Sequence, residues 1–269
     1  MTRLRPSRVP AGPASPVHLA LNEAKDRAAF RLFHPKGNIV TADMIGALGQ
    51  ALDAIAEQPH LKLVTFEGTG ADFSFGASIP EHAPADIGRV LPQAHALVYA
   101  LLDLPIVTAA LVRGRCLGGG FEIALACDFI FAEASAVFGL PEIALGVFPP
   151  AASALLPPRV GTARATSAIL TGKTLPAGAW RDAGLIEAVV PDGTLAAAVD
   201  RWFDAHLRGK SAAALRYATA AARHGLRQHV HAVLPELERL YLGDLMRTGD
   251  AAEGIAAFLE KRVPQWTDR

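Results

Sequence analysis

The chain has 269 residues, 51% of them hydrophobic and 19% charged, and its 26 basic and 26 acidic side chains cancel to a formal net charge of 0. That neutrality excludes a nucleic-acid binder working by phosphate neutralisation, and the apolar content excludes disorder for the bulk of the chain and supplies a sizeable core. The two cysteines, Cys116 and Cys127, form no C-x-x-C pair and no disulfide framework, which fits a reducing, cytoplasmic setting.

The first 16 residues carry Arg3, Arg5 and Arg8, but Pro6, Pro10, Pro13 and Pro16 forbid an amphipathic targeting helix, so residues 1–16 are expected to be a flexible tail. Val17–Asn22 and Ala28–Phe33 predict two short strands. Thr41 is the expected cap of a helix through Glu57, with Met44, Ile45, Leu48, Leu52 and Ile55 at helical spacing. Leu61–Phe66 predicts a strand, followed by a mobile segment and a helix over Val90–Leu102. Pro105 ends that helix, and Ile106–Val112 predicts a buried strand. The apolar run Leu97–Val112 is broken by Asp103 and Pro105 and falls short of the ~18–20 residues of a membrane span. The triplet Gly118-Gly119-Gly120 is expected to lead into a helix, Phe121–Cys127, with strands at Phe129–Ala132 and Ala136–Gly139. The fold class is therefore α/β. After Val190 the pattern is helical only, over Leu195–Leu207, Ala212–His224, Leu234–Met246 and Ala251–Lys261. A core over residues 17–200 and a helical segment over 201–269 are expected, the latter with apolar Tyr217, Leu234, Leu237, Leu240, Leu242 and Phe258 facing other subunits.

Three glycines between a buried strand and a helix leave unpaired amide N–H groups at the helix start, suited to developing negative charge on a carbonyl oxygen. One helical turn past Gly119 stands Glu122, and Glu142 follows Pro141 after the next strands. Two carboxylates at the ends of separate elements can serve one water, one taking its proton and the other supplying a proton to the substrate. Upstream, Gly76 in Phe73-Ser74-Phe75-Gly76-Ala77-Ser78-Ile79 would let the Ala77 N–H turn toward the same site. Gly172-Lys173-Thr174 lacks the earlier glycine of a phosphate-binding loop. The nine histidines form no H-x-x-x-H or H-E-x-x-H motif, so no metal is expected. Asp128, between a helix and a strand, is expected to make structural hydrogen bonds.

From about Val17 onward the chain resembles the crotonase (enoyl-CoA hydratase/isomerase) superfamily. Phe73–Ile79 is similar to its F-S-x-G-A-D-I/L element, Gly114–Asp128 to G-x-x-x-G-G-G-x-E-L-A-x-x-C-D, and Phe138–Gly146 to F-G-x-P-E-x-x-x-G. Leu170–Val190 and Asp250–Arg262 are similar to two further family segments. The resemblance implies a spiral of ββα units, with the C-terminal helices packing in a homotrimer or homohexamer. It implies an acyl-CoA substrate, with no cofactor beyond that coenzyme A, no nucleic acid and no membrane partner. Ala77 and Gly119 would form the oxyanion hole, and Glu122 and Glu142 fall on the glutamates of true hydratases. Phe258 and Lys261 match positions implicated in coenzyme A contact, while Phe75, Gly76, Ser78, His82 and Phe148 are the expected substrate-binding positions. Two departures stand out: Ser78 replaces the usual aspartate, and the common G-x-x-P-G-A-G-G reads Gly146-Val147-Phe148-Pro149-Pro150-Ala151-Ala152-Ser153. The added methyl groups and proline ring are expected to reshape the acyl pocket beside Glu142. With Phe73–His82, this segment resembles the group within the family that hydrates cyclohexa-1,5-diene-1-carbonyl-CoA; general enoyl-CoA hydration and double-bond isomerisation are the alternatives.

Overall fold

The computed structural model describes residues 15–83 and 85–269, so the expected tail lies outside it except for Ser15 and Pro16. The elements follow in the order β1 (Val17–Leu21), β2 (Arg27–Leu32), α1 (Ala42–Ala56), β3 (Leu63–Gly68), a 3-10 turn (Ile79–His82), α2 (Ile87–Asp103) and β4 (Val107–Val112). Next come β5 (Arg115–Leu117), α3 (Gly118–Ala126), β6 (Phe129–Glu133), β7 (Val137–Gly139), a second 3-10 turn (Pro141–Leu145), α4 (Pro150–Val160) and α5 (Thr162–Thr171). The remainder is β8 (Leu175–Pro176), α6 (Ala177–Asp182), β9 (Ala188–Val190), α7 (Leu195–His206), α8 (Ala212–Arg239) and α9 (Gly249–Glu260).

Local chemistry accounts for the first elements. The Asn22 side-chain oxygen accepts from the Asp26 and Arg27 amides at 3.1 and 3.0 Å, closing the β1–β2 turn. The Thr41 hydroxyl accepts from the Met44 amide at 3.2 Å, and Met44, Ile45, Leu48, Leu52 and Ile55 form the buried stripe of α1 that their spacing predicts. The main sheet has the order β1-β2-β3-β4-β6-β9, antiparallel only between β1 and β2. All six residues of β4 are buried, as both faces of a parallel strand are covered. Leu63, Val107, Ala109, Leu111 and Phe131 pack under α7 through Leu195, Val199 and Phe203. The alternate residues Val64, Phe66, Ala110, Val112 and Ile130 face the larger core with α1, α2 and α3. A second small sheet, β5-β7-β8, carries the segments that lead into the site.

The C-terminal helices depart from expectation. Ala212–His224 and Leu234–Met246 are not two helices: α8 runs unbroken to Arg239, with Pro235 inside it. Thr219, Arg223, Val230 and Leu234 fasten one face of α8 into the chain's own core, so Leu234, expected on an intersubunit face, is fully buried within the monomer. Tyr217, Leu240 and Phe258 remain exposed. Helix α7 crosses residue 200 and packs on the main sheet. No helix among the described residues is long and apolar enough to cross a membrane.

Arg223 ties α8 to the spiral. Its guanidinium donates to the Leu101, Leu102, Leu104 and Ile106 carbonyls and to both Asp128 carboxylate oxygens at 2.6 Å. Asp128 also accepts from the Thr108 amide at 2.8 Å, the structural role expected of it. These bonds satisfy the last carbonyls of α2, which no helical N–H reaches. Removing one partner of such a buried pair leaves the other uncompensated. Arg223→Met should therefore lower unfolding free energy by about 3–5 kcal/mol, measured by chemical denaturation.

Candidate active site

The site is built where β5 turns into α3. Leu117 is extended and Gly118 takes φ +48°, so the glycines are the first turn of α3 rather than a lead-in to it. A methyl group on Gly118 would fall 2.6 Å from Glu142 Oε1, so only glycine lets that carboxylate approach the helix start. A methyl group on Gly119 would lie 3.3 Å from the Ala77 nitrogen, so the two peptide segments run side by side. The Ala77 segment is held rigidly. The Ser74 hydroxyl donates to the Asn38 carbonyl at 2.7 Å and accepts from the Gly76 amide at 3.1 Å, while Val40 pairs with Gly76 and Ser78. Among the described residues, no hydrogen bond uses the N–H of Ala77 or Gly119. Two free, fixed donors of this kind suit an oxyanion.

Glu122 lies one turn into α3, and its Oε1 accepts from the Ala152 amide at 2.8 Å. The Ala151 amide also supports it, so the N-terminus of α4 points at this carboxylate. Burial raises the Glu122 carboxyl to about 7, against the lowering effect of those two amides. Glu142 sits on the Pro141–Leu145 turn, and its Oε2 is buried without a hydrogen-bond partner among the described residues. Burial first, then the nearby charge of Glu122, raises its carboxyl to about 8. Both residues are half-buried overall, but their carboxyl ends are withdrawn from solvent. Two carboxyls so placed favour a state with one proton between them, held on the more strongly raised Glu142.

The other expected site residues divide. Ser78 is buried next to Ala77, and its carbonyl accepts from His82 Nδ1 at 2.9 Å. Burial lowers the His82 pKa, so the ring is a neutral Nδ1–H tautomer beside the oxyanion segment. Gly76 is buried at φ +102°. Phe148 lies in an apolar cluster with Ile87, Leu91, Val147 and Tyr241. Phe75 is outside that cluster: its ring rests on Gly37 with the Arg115 guanidinium 5.3 Å from its centroid. Phe258 and Lys261, at the end of α9, are exposed and are not joined to the glutamate pair within one chain. The glycine-poor segment, expected to act beside Glu142, opens α4 with Pro150 and presents its amides to Glu122. Sequence reasoning missed those amides, and it missed that Tyr241 packs edge-on against Phe148. It also missed that α9 packs on both 3-10 turns, Gly254 approaching so closely that a methyl group there would collide with the Leu145 carbonyl. Both cysteines are buried with thiol pKa values pushed up, Cys127 to about 12, which makes them inert.

An amide pair facing two desolvated glutamates, carried on a parallel-sheet spiral, defines a class of acyl-thioester enzymes. The chain matches the family model described as enoyl-CoA hydratase/isomerase over residues 28–269, and it belongs to that family, with the crotonase fold. It is 43% identical over 256 residues to cyclohexa-1,5-dienecarbonyl-CoA hydratase of Thauera aromatica, covering 95% of this chain and 98% of that protein. It is 33% identical to 2,3-dehydroadipyl-CoA hydratase of Escherichia coli strain K12, covering 86% of this chain and 91% of that one. The crystal structure of an enoyl-CoA hydratase from Mycobacterium avium subsp. paratuberculosis K-10 superposes with a TM-score of 0.84 at 30% identity, over 95% of this chain and 100% of that one.

The raised carboxyls have a consequence for stability. Both bind protons more tightly in the folded chain than at the ordinary value of 4.5, so the native state holds excess protons between about pH 4.5 and 8. Stability therefore falls as pH rises through that window. Glu142→Gln removes the larger part of this loss, so its Tm should exceed that of the wild type at pH 8 and converge with it near pH 4.5, as calorimetry across pH would read.

Proposed function

We propose that the enzyme is a hydro-lyase that adds water to cyclohexa-1,5-diene-1-carbonyl-CoA, giving 6-hydroxycyclohex-1-ene-1-carbonyl-CoA in anaerobic aromatic degradation. Family membership carries the acyl-CoA class, and the paired, unequally raised glutamates carry the choice of hydration. The ring substrate is supported by the 43% identity to the Thauera aromatica hydratase and by the resemblance of the glycine-poor Val147–Ser153 segment to that group.

In this reading the Ala77 and Gly119 amides donate to the thioester oxygen and stabilise the dienolate that forms as water adds. Glu122, the lower of the two carboxyls and the one fixed by α4, takes a proton from the water. The water oxygen bonds to the carbon β to the thioester carbonyl, and the diene electrons shift toward the carbonyl. Glu142, which is neutral below about pH 8, delivers its proton to the far end of the diene, leaving one ring double bond conjugated to the thioester. No metal or redox group takes part, so chelation should leave activity intact. His82 and Ser78 border the thioester end, and Phe148 with Val147 forms the apolar wall. Phe258 and Lys261, exposed at the end of α9, would meet coenzyme A in a homotrimer or homohexamer assembled through the C-terminal helices, in the cytoplasm.

General acid–base groups contribute about 10²–10⁴ in rate. Glu122→Gln and Glu142→Gln should each lower kcat by at least about 10² with little change in coenzyme A affinity. The pH profile of kcat/KM should be a bell with limbs near pH 7 and 8 belonging to the pair, and Glu142→Gln should remove the upper limb and leave the rise near pH 7. The substrate assignment is tested by kcat/KM for the cyclic diene against crotonyl-CoA. A clear preference for the diene is expected, and equal or better use of crotonyl-CoA would leave a general enoyl-CoA hydratase. Sedimentation at micromolar concentration should show a trimer or hexamer, and a stable monomer would refute the assembly.

A further inference from the structure

Beyond Arg239 the long helix α8 does not stop but widens into a π-turn, Leu240–Asp244, before a 3-10 turn over Leu245–Arg247. A π-turn adds a residue to the helical circuit and redirects the side chains after it, and such turns recur at functional sites. Here it leaves Leu240 45% exposed and drives Tyr241 to 1% exposed. The Tyr241 ring stands edge-on to Phe148, centroids 5.4 Å apart, in the apolar cluster with Ile87, Leu91, Val147 and Ala251. That cluster adjoins the segment following Glu142. Buried phenols ordinarily find a hydrogen-bond partner. The Tyr241 hydroxyl has none among the hydrogen bonds formed between described residues, so the packing fixes its ring while its polar end stays unassigned.

We propose that Tyr241 is a third polar group of the reaction, donating a hydrogen bond to the oxygen that enters as water and leaves as the product hydroxyl. This rests on the hydratase reading of the glutamate pair. The thioester oxygen already has two donors in Ala77 and Gly119, and Glu122 already has the Ala151 and Ala152 amides. The entering oxygen is the remaining acceptor that has no donor from the protein. The packing seats Tyr241 against Phe148 and Val147, in the segment that directly follows the Glu142 turn, and burial with the charges of Glu142 and then Glu122 raises its pKa, so the hydroxyl stays protonated, a donor throughout the working range. Gripped between Glu122 and Tyr241, the oxygen is held to one side of the substrate plane. For a ring substrate, that selects which face receives the hydroxyl.

Tyr241→Phe tests this with the holoenzyme as it stands. Because the hydroxyl makes no hydrogen bond to the described protein, Phe preserves the packing on Phe148, and Tm should be unchanged. Loss of one hydrogen bond to a charge-developing oxygen should lower kcat about ten- to a hundredfold with KM within about threefold. Tyr241→Leu should lose as much kcat and, in addition, lose Tm, since it removes the ring as well. A merely structural tyrosine predicts the reverse: Tyr241→Phe within twofold of wild type in kcat, which would overturn the proposal, as would a loss confined to KM. Both variants are assayed on crotonyl-CoA and on the cyclic diene. A wild type that prefers crotonyl-CoA would sink the substrate reading alone, while the Tyr241→Phe effect on crotonyl-CoA still decides the phenol's role.

Discussion

Two carboxyl groups withdrawn from water and facing the start of one helix are the constraint around which the rest of this chain is arranged. Ionising both would cost far more than ionising one, because each lacks solvent and each feels the other. The cost is divided unequally. Glu122 receives two amides from the N-terminus of α4, whereas Glu142 has an oxygen with no partner and the more strongly raised pKa. In the proposed reaction a base and an acid follow from identical side chains because their surroundings differ. The same desolvation that destabilises the folded chain at high pH is what lets one glutamate hold a proton at neutrality.

Several parts of the fold exist to hold this pair in place. Gly118 at φ +48° removes the side chain that would block Glu142, and the free amides of Gly119 and Ala77 lie alongside. Helix α9 rests on both 3-10 turns, so the oxyanion segment and the Glu142 segment share one support. Farther off, Arg223 joins α8 to the ends of α2 and α3 through Asp128, which fixes the long helix that delivers Tyr241. Function here depends on carbonyls and amides far from the reacting atoms being satisfied.

The parts legible in the sequence were those with local signals. Thr41 capping α1, the apolar stripe from Met44 to Ile55, the uninterrupted burial of Val107–Val112 and the glycine triplet each follow from short-range patterns. The glutamates stood out because both adjoin apolar runs after turns. What escaped was non-local or proline-masked. The run Pro149-Pro150 with Pro157-Pro158 hid α4, yet Pro150 at the first helical position costs no hydrogen bond. Helix α8 was divided in expectation at a stretch that packing of Val230 and Leu234 keeps helical. The burial of Tyr241 was invisible, since a 3.6-residue period cannot anticipate a π-turn. Phe75 was singled out for its adjacency to Ala77 along the chain, and its exposed ring lies against Gly37 and Arg115.

The central claim is that Glu122 and Glu142 hold one proton between them at neutral pH, with Glu142 carrying it. Infrared difference spectroscopy of the wild type against Glu142→Gln reads this without substrate or turnover. A protonated-carboxyl band should persist in the wild type at about pH 7.5 and be lost as pH rises past about 8, whereas in Glu142→Gln the band left is that of Glu122 and should be lost already near pH 7. A wild type lacking that band at about pH 7.5, or a Glu142→Gln variant whose band persists to pH 8 as in the wild type, would contradict the account.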